Sequence, residues 1–155
     1  MVKNNSELGE FSFIEKITES FEIKNSESLL GIGDDSAIIE SSKLYTLVSK
    51  DLLVEGIHFD LSYTPLMHLG YKSVIVNLSD IYAMNGIPKQ IVIGIAISNR
   101  FKVDAIQELY KGIKLACEKY KIDLVGGDTT TSQSGLTISI TALGQVKKEN
   151  VGKRS

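Results

Sequence analysis

Residues 136–142 alternate without a break, with Leu136, Ile138, Ile140 and Ala142 on one side and Thr137, Ser139 and Thr141 on the other. A period of two predicts a strand with one buried face. Residues 91–97 behave differently, being apolar everywhere except at the central Gly94. The strand they predict needs cover on both faces, from a helix layer and from another sheet or subunit. Two longer segments carry the helical period. In 65–85, Pro65 opens the helix behind Thr64 as N-cap, Gly70, Val74, Leu78 and Ile81 line its core side, and Asn85-Gly86 stops it. In 103–120 the stripe is Val103, Ile106, Tyr110, Ile113, Cys117 and Tyr120. A weaker helical pattern covers 11–21. Residues 37–39 and 44–49 read as a hairpin joined by the polar 40–43, and 123–126 as a short strand.

The order is helix, two strands, helix, strand, helix, two strands. It predicts an α+β, two-layer fold in which two main helices pack a mixed four-stranded sheet. The 155 residues fit one domain with a real core, and 43% hydrophobic with 23% charged residues suits a globular chain. The net charge of −2, with dispersed Lys and Arg, argues against a nucleic-acid surface. A single cysteine, Cys117, excludes an internal disulfide and sits on the apolar stripe as an inert thiol. The first twenty residues mix charged and apolar positions, unlike a signal peptide, and no apolar run has the length of a membrane span. The expected compartment is the cytoplasm, with no membrane partner. Residues 147–155 are polar and basic and read as a connection to something further.

Four acidic segments carry the candidate chemistry: Gly31-Ile-Gly-Asp-Asp35, Ser49-Lys-Asp51, Asn77-Leu-Ser-Asp80 and Gly126-Gly-Asp-Thr-Thr130. Carboxylates gathered from four elements repel unless a cation lies between them. Mg²⁺ suits such a set, because it binds through a few carboxylates and keeps waters and phosphates. Singly, each segment has a structural reading. Asp34 and Asp35 compete for one role, with Asp35 the choice for metal, although an Asx-turn alone would explain either. Asp51 interrupts an apolar region. Asp80 lies mid-helix, three residues after Asn77 and on the same side, where Asp is unfavourable by propensity. Asp128 follows two glycines that admit close approach to the backbone. The Gly31–Gly33 turn lacks the Lys-Ser/Thr of a P-loop and the third glycine of a dinucleotide fingerprint. His58 is a lone histidine in a loop, and Tyr110 on an apolar stripe reads as core.

In this order and spacing, the segments resemble the thiamine-monophosphate kinase family, within the aminoimidazole-ribonucleotide-synthetase-like ATP-binding superfamily. The match runs through Gly9-Glu-Phe-Ser-Phe-Ile14, Gly31-Ile-Gly-Asp-Asp-Ser-Ala37, Asp51-Leu-Leu-Val-Glu-Gly-Ile-His-Phe59, Leu69-Gly-Tyr-Lys72, Val76-Asn-Leu-Ser-Asp80, Ala83-Met84 and Gly126-Gly-Asp-Thr-Thr130. It covers almost the whole chain. The resemblance implies transfer of the γ-phosphate of ATP to thiamine monophosphate, with Mg²⁺ ions held by carboxylates. It implies Asp35, Ser49, Asp51, Asp80 and Asp128 as metal ligands. Tyr110, Gly127, Asp128 and Arg154 become nucleotide contacts, and His58 a contact to the acceptor. Such chemistry needs positioning and charge neutralisation more than a covalent enzyme group, so no catalytic residue is assigned.

Two departures from the family stand out. Lys50 occupies a position where many members have Thr, and it could offset charge at the metal cluster. The family's chain is about twice as long by the usual domain size. Residues 1–155 then correspond to its N-terminal ATP- and Mg²⁺-binding domain, without the second domain, and are expected not to turn over alone. The family's habit of dimerising through this sheet implies a homodimer, the two sheets pairing into a barrel. Rival readings are another ATP-dependent enzyme of the superfamily, such as a selenophosphate or purine-pathway synthetase, and a non-catalytic dimerisation or ligand-binding module.

Overall fold

A computed structural model describes residues 24, 26–30, 34, 36–41 and 43–152. The helix expected over 11–21, the turn 31–33, Asp35 and Arg154 lie outside the described residues. The elements are β1 (Ser28–Leu30), β2 (Ala37–Glu40), β3 (Leu44–Val54), α1 (Leu66–Ala83), β4 (Ile87–Ile97), α2 (Val103–Tyr120), β5 (Asp123–Thr131) and β6 (Leu136–Lys147). A single 3₁₀ turn, Lys148–Asn150, follows β6.

The strands form one mixed sheet in the order β1-β2-β3-β6-β4-β5, so the expected four strands are six. One reason is that β1, only three residues long, is too short to show a period. The other is that the short segment read over 123–126 is a full member of the sheet, continuing as β5 through Gly126-Gly127 to Thr131. Every pairing is antiparallel except β4 with β5. Because β6 lies antiparallel between β3 and β4, the strands β3, β4 and β5 all point the same way. Such strands need long crossovers, which α1 and α2 supply.

The alternation in β6 is real: Leu136, Ile138, Ile140 and Ala142 are buried, whereas Thr137, Ser139 and Thr141 are half-buried. On the same side lie Leu47 and Leu53 of β3 and Ile91, Ile93 and Ile95 of β4. They form one core with Leu69, Val74, Leu78 and Ile81 of α1 and Leu109, Ile113 and Ala116 of α2. Helix α1 packs on β3, β6 and β4, and α2 packs chiefly on α1. A Cβ placed on Gly70 would lie 2.0 Å from the Leu109 carbonyl oxygen, and one on Gly112 1.8 Å from that of Met67. The helices therefore cross backbone to backbone at two glycines. That crossing rotates the buried line of α2 from the expected stripe to Leu109, Gly112, Ile113 and Ala116, and leaves Val103 exposed.

Helix α1 starts one residue later than expected. Pro65 is its N-cap in extended conformation and no side chain caps it, while the Thr64 N–H donates to the Asp60 carbonyl at 2.9 Å. The stop at Asn85 is as expected, with φ 59° in the left-handed region and its side-chain amide donating to the Asn150 carbonyl at 2.9 Å. The opposite face of the sheet carries Leu52, 52% exposed, and Val92, 36% exposed. Both helices lie on the other side. Among the described residues no helix is long and apolar enough to cross a membrane.

Candidate metal and nucleotide site

The pleat of β3 sends Leu47, Ser49, Asp51 and Leu53 toward the helices and Lys50 and Leu52 away. Polar positions enter the helix-facing row only where α1 offers partners. The buried Ser49 Oγ donates to Asp80 Oδ2 at 2.6 Å. Further along, the Asp51 backbone N–H donates to Asn77 Oδ1 at 3.0 Å, and the buried Asn77 amide donates to the Ser73 carbonyl at 3.0 Å. Beyond the end of β3, Lys72 Nζ donates to the His58 carbonyl at 3.2 Å. One side of α1 is thus tied to β3 and the following turn at three successive places.

Of the expected metal ligands, Ser49, Asp51 and Asp80 come together. The Asp51 carboxyl is pushed up from its ordinary 3.8, first by burial and then by the Asp80 carboxylate, with His58 opposing. Two oxygen-rich side chains that resist sharing negative charge suit a hard cation. Asp128 does not join them. It pairs with Gly94 on the far edge of the sheet, whereas Asp51 pairs with Ile140 of β6. Three strand spacings separate the two, on the order of 14 Å, beyond the reach of a single ion. Among the described residues no three His, Cys, Asp or Glu side chains form a group that could hold a metal. Lys50 stands on the other face, donating to Ser139 Oγ at 2.5 Å, so the expected charge compensation at the cluster is absent. Alternation along a strand decides this.

A second set does assemble. Tyr110, Gly126, Gly127 and Asp128 line one open pocket of about 490 Å³ together with Ile93, Leu124, Val125 and Thr129. The expected nucleotide contacts from α2 and β5 therefore share a wall. The glycines divide their labour. A Cβ on Gly127 would fall 1.9 Å from the Ile93 carbonyl oxygen, so this glycine lets β5 close on β4, while Gly126 faces open space. Burial alone pushes the Tyr110 hydroxyl up.

His58 is exposed in the turn after β3. Its Nδ1 accepts from the Val54 N–H at 3.0 Å. Glu55 anchors that turn by accepting from the Leu136 N–H at 2.9 Å and pairing with Arg100. Asn77 and Lys72 were not singled out as site residues in the sequence. Asn77 carried one signal, its place three residues before Asp80.

The framework is an α+β sheet covered on one face by two crossover helices, with carboxylates at the β3–α1 junction and a glycine-lined pocket at β5. Residues 33–146 match the model of the family "AIR synthase related protein, N-terminal domain". The chain belongs to that family. It is 35% identical over 149 residues to thiamine-monophosphate kinase of Bacillus subtilis (strain 168), covering 96% of this chain and 46% of that protein. With the kinase of the same name from Aquifex aeolicus (strain VF5) it shares 37% over 142 residues, 92% of this chain and 44% of the other. The solved structure "AaThiL complexed with AMPPCP and TMP" superposes with a TM-score of 0.82 at 35% identity, covering 95% of this chain and 45% of that one. The chain thus spans less than half the length of the relatives it matches.

Proposed function

We propose that this chain is the N-terminal ATP- and Mg²⁺-binding domain of a kinase that phosphorylates thiamine monophosphate to thiamine diphosphate. The observation that carries the reading is the Ser49–Asp51–Asp80 cluster. There burial and mutual repulsion make ionisation of Asp51 costly, in a chain whose relatives bear that kinase name. Ser49, Asp51 and Asp80 would hold Mg²⁺, with Asp35 a further ligand. Bound there, Mg²⁺ supplies neutralisation of phosphate charge during in-line transfer. Tyr110, Gly127 and Asp128 bind the nucleotide from β5 and α2, with Arg154 as a phosphate contact. Asp128 would also serve the metal set, from the edge strand β5. His58 meets the acceptor with an outward-facing ring edge.

The uncovered sheet face supports a homodimer in which two sheets pair into a barrel. Leu52 and Val92 leave apolar surface there, which a second copy removes from water. The compartment consistent with one unpaired cysteine is the cytoplasm.

The test is nucleotide binding by calorimetry, with and without Mg²⁺, on the full-length protein and on Asp51→Asn, alongside assay of thiamine diphosphate formation. Mg²⁺-dependent ATP binding that disappears in the variant, with turnover in the parent, is the expected result. Parent-like Mg²⁺-dependent binding in Asp51→Asn would remove the cluster from the metal site. Turnover of a different phosphate acceptor, with none of thiamine monophosphate, would keep the site and change the substrate.

A further inference from the structure

The turn that carries His58 is built from its own backbone. The Gly56 N–H donates to the Phe59 carbonyl at 2.8 Å, and the Ile57 and His58 N–H groups both donate to the Val54 carbonyl, at 3.1 and 2.9 Å. Gly56 has φ +80°, and Phe59 is buried. These bonds shape the turn without using the His58 carbonyl. Lys72, exposed on α1, donates to that carbonyl at 3.2 Å. At the other end of the residue, the Val54 N–H donates to Nδ1. A ring nitrogen that accepts carries no proton, so the neutral imidazole keeps its proton on Nε2. His58 is held at its main chain by α1 and at its ring by β3, with Nε2–H left as the ring's donor.

We propose that Lys72 is a positioning residue: its ammonium clamps the His58 turn to α1 and so fixes the Nε2–H donor toward the phosphate of the acceptor. The proposal rests on the assignment of His58 to the acceptor. Helix α1 also carries Asn77 and Asp80, so the clamp refers the acceptor's donor to the same rigid element as the metal-cluster residues. A charge-assisted bond suits this task, being stronger than a bond between two neutral groups.

Lys72→Met, Lys72→Arg and His58→Ala are compared in the full-length protein. Steady-state kinetics are measured for thiamine monophosphate and for ATP, and ¹⁵N correlation spectra of the histidine ring report the tautomer. Lys72→Met keeps the side-chain length and removes the donors. It should raise KM for thiamine monophosphate about tenfold, the factor set by about 1.4 kcal/mol, and leave KM for ATP at the parent value. The His58 ring should lose its single Nε2–H tautomer. Lys72→Arg should restore both readouts. A raised KM in Lys72→Met with an unchanged His58 tautomer would mean that Lys72 touches the acceptor itself, which overturns the proposal. Parent-like KM in Lys72→Met beside a raised KM in His58→Ala overturns the clamp alone. An unchanged KM in His58→Ala removes the assignment beneath it and the proposal together.

Discussion

Asp51 shows how one residue can be costly to the fold and useful to the site. Its carboxyl is raised above 3.8 by burial and by Asp80. The folded protein therefore holds this proton to higher pH than the unfolded chain does. From about that ordinary value up through the raised one, the folded state binds more protons, so Asp51's contribution lowers stability as pH rises. Above the window the full cost remains. In chelator, Asp51→Asn should flatten this part of the stability–pH profile and raise the urea midpoint at neutral pH. Adding Mg²⁺ should stabilise the parent and not the variant. A variant that is less stable than the parent in chelator would show that Asp51 serves as a structural bond rather than a held charge. Cys117 is the quieter counterpart: burial, then Asp123 and Glu118, push its thiol up, as an inert position on an apolar stripe should be.

At the scale of elements, the α1–α2 crossing decides how far α2 stands from the sheet, and hence where Tyr110 meets β5. Gly112→Ala gains helix propensity of about 1 kcal/mol. Against this, a Cβ 1.8 Å from the Met67 carbonyl oxygen must push a backbone aside. Overpacking of that kind costs about 1–3 kcal/mol, so we expect net destabilisation by chemical denaturation and weaker nucleotide binding. Gly126→Ala, in open space, serves as the control and should leave stability within about 0.5 kcal/mol. Equal midpoints for the two variants would mean that the helices separate at little cost. The two main helices and the alternating β6 were legible from period, and the β2–β3 hairpin from its polar connection, although β3 runs past the expected end at Ser49 to Val54. The missed β1 and the tail of β5 were not. A three-residue edge strand has no period, and Gly-Gly reads as a break until a parallel neighbour accepts it.

For the whole molecule, the exposed sheet face is the open question that the proposed dimer answers. Leu52→Glu with Val92→Lys places charges on that face without touching the helix side. The double variant should shift the protein from dimer to monomer by light scattering, with an unchanged far-ultraviolet spectrum. A monomeric parent would remove the proposed dimer, and a double variant that still dimerises would place the interface elsewhere. Lys50 adds a local feature, since its bond to Ser139 puts a cation within the same face.

By itself, the sequence determined the α+β class, both long helices, the buried row of β6 and the segments that match the family. These depend on local period and on residues in fixed order. Tertiary structure alone decided which acidic residues meet. Ser49, Asp51 and Asp80 converge because β3 and α1 are packed face to face, and Asp128 stays apart because three strand spacings intervene. It also turned Lys50 away from the cluster and bound Lys72 to His58. Sequence order carries no distance across a sheet. Only the pairing of strands, and the side on which each pleat faces, supplies it.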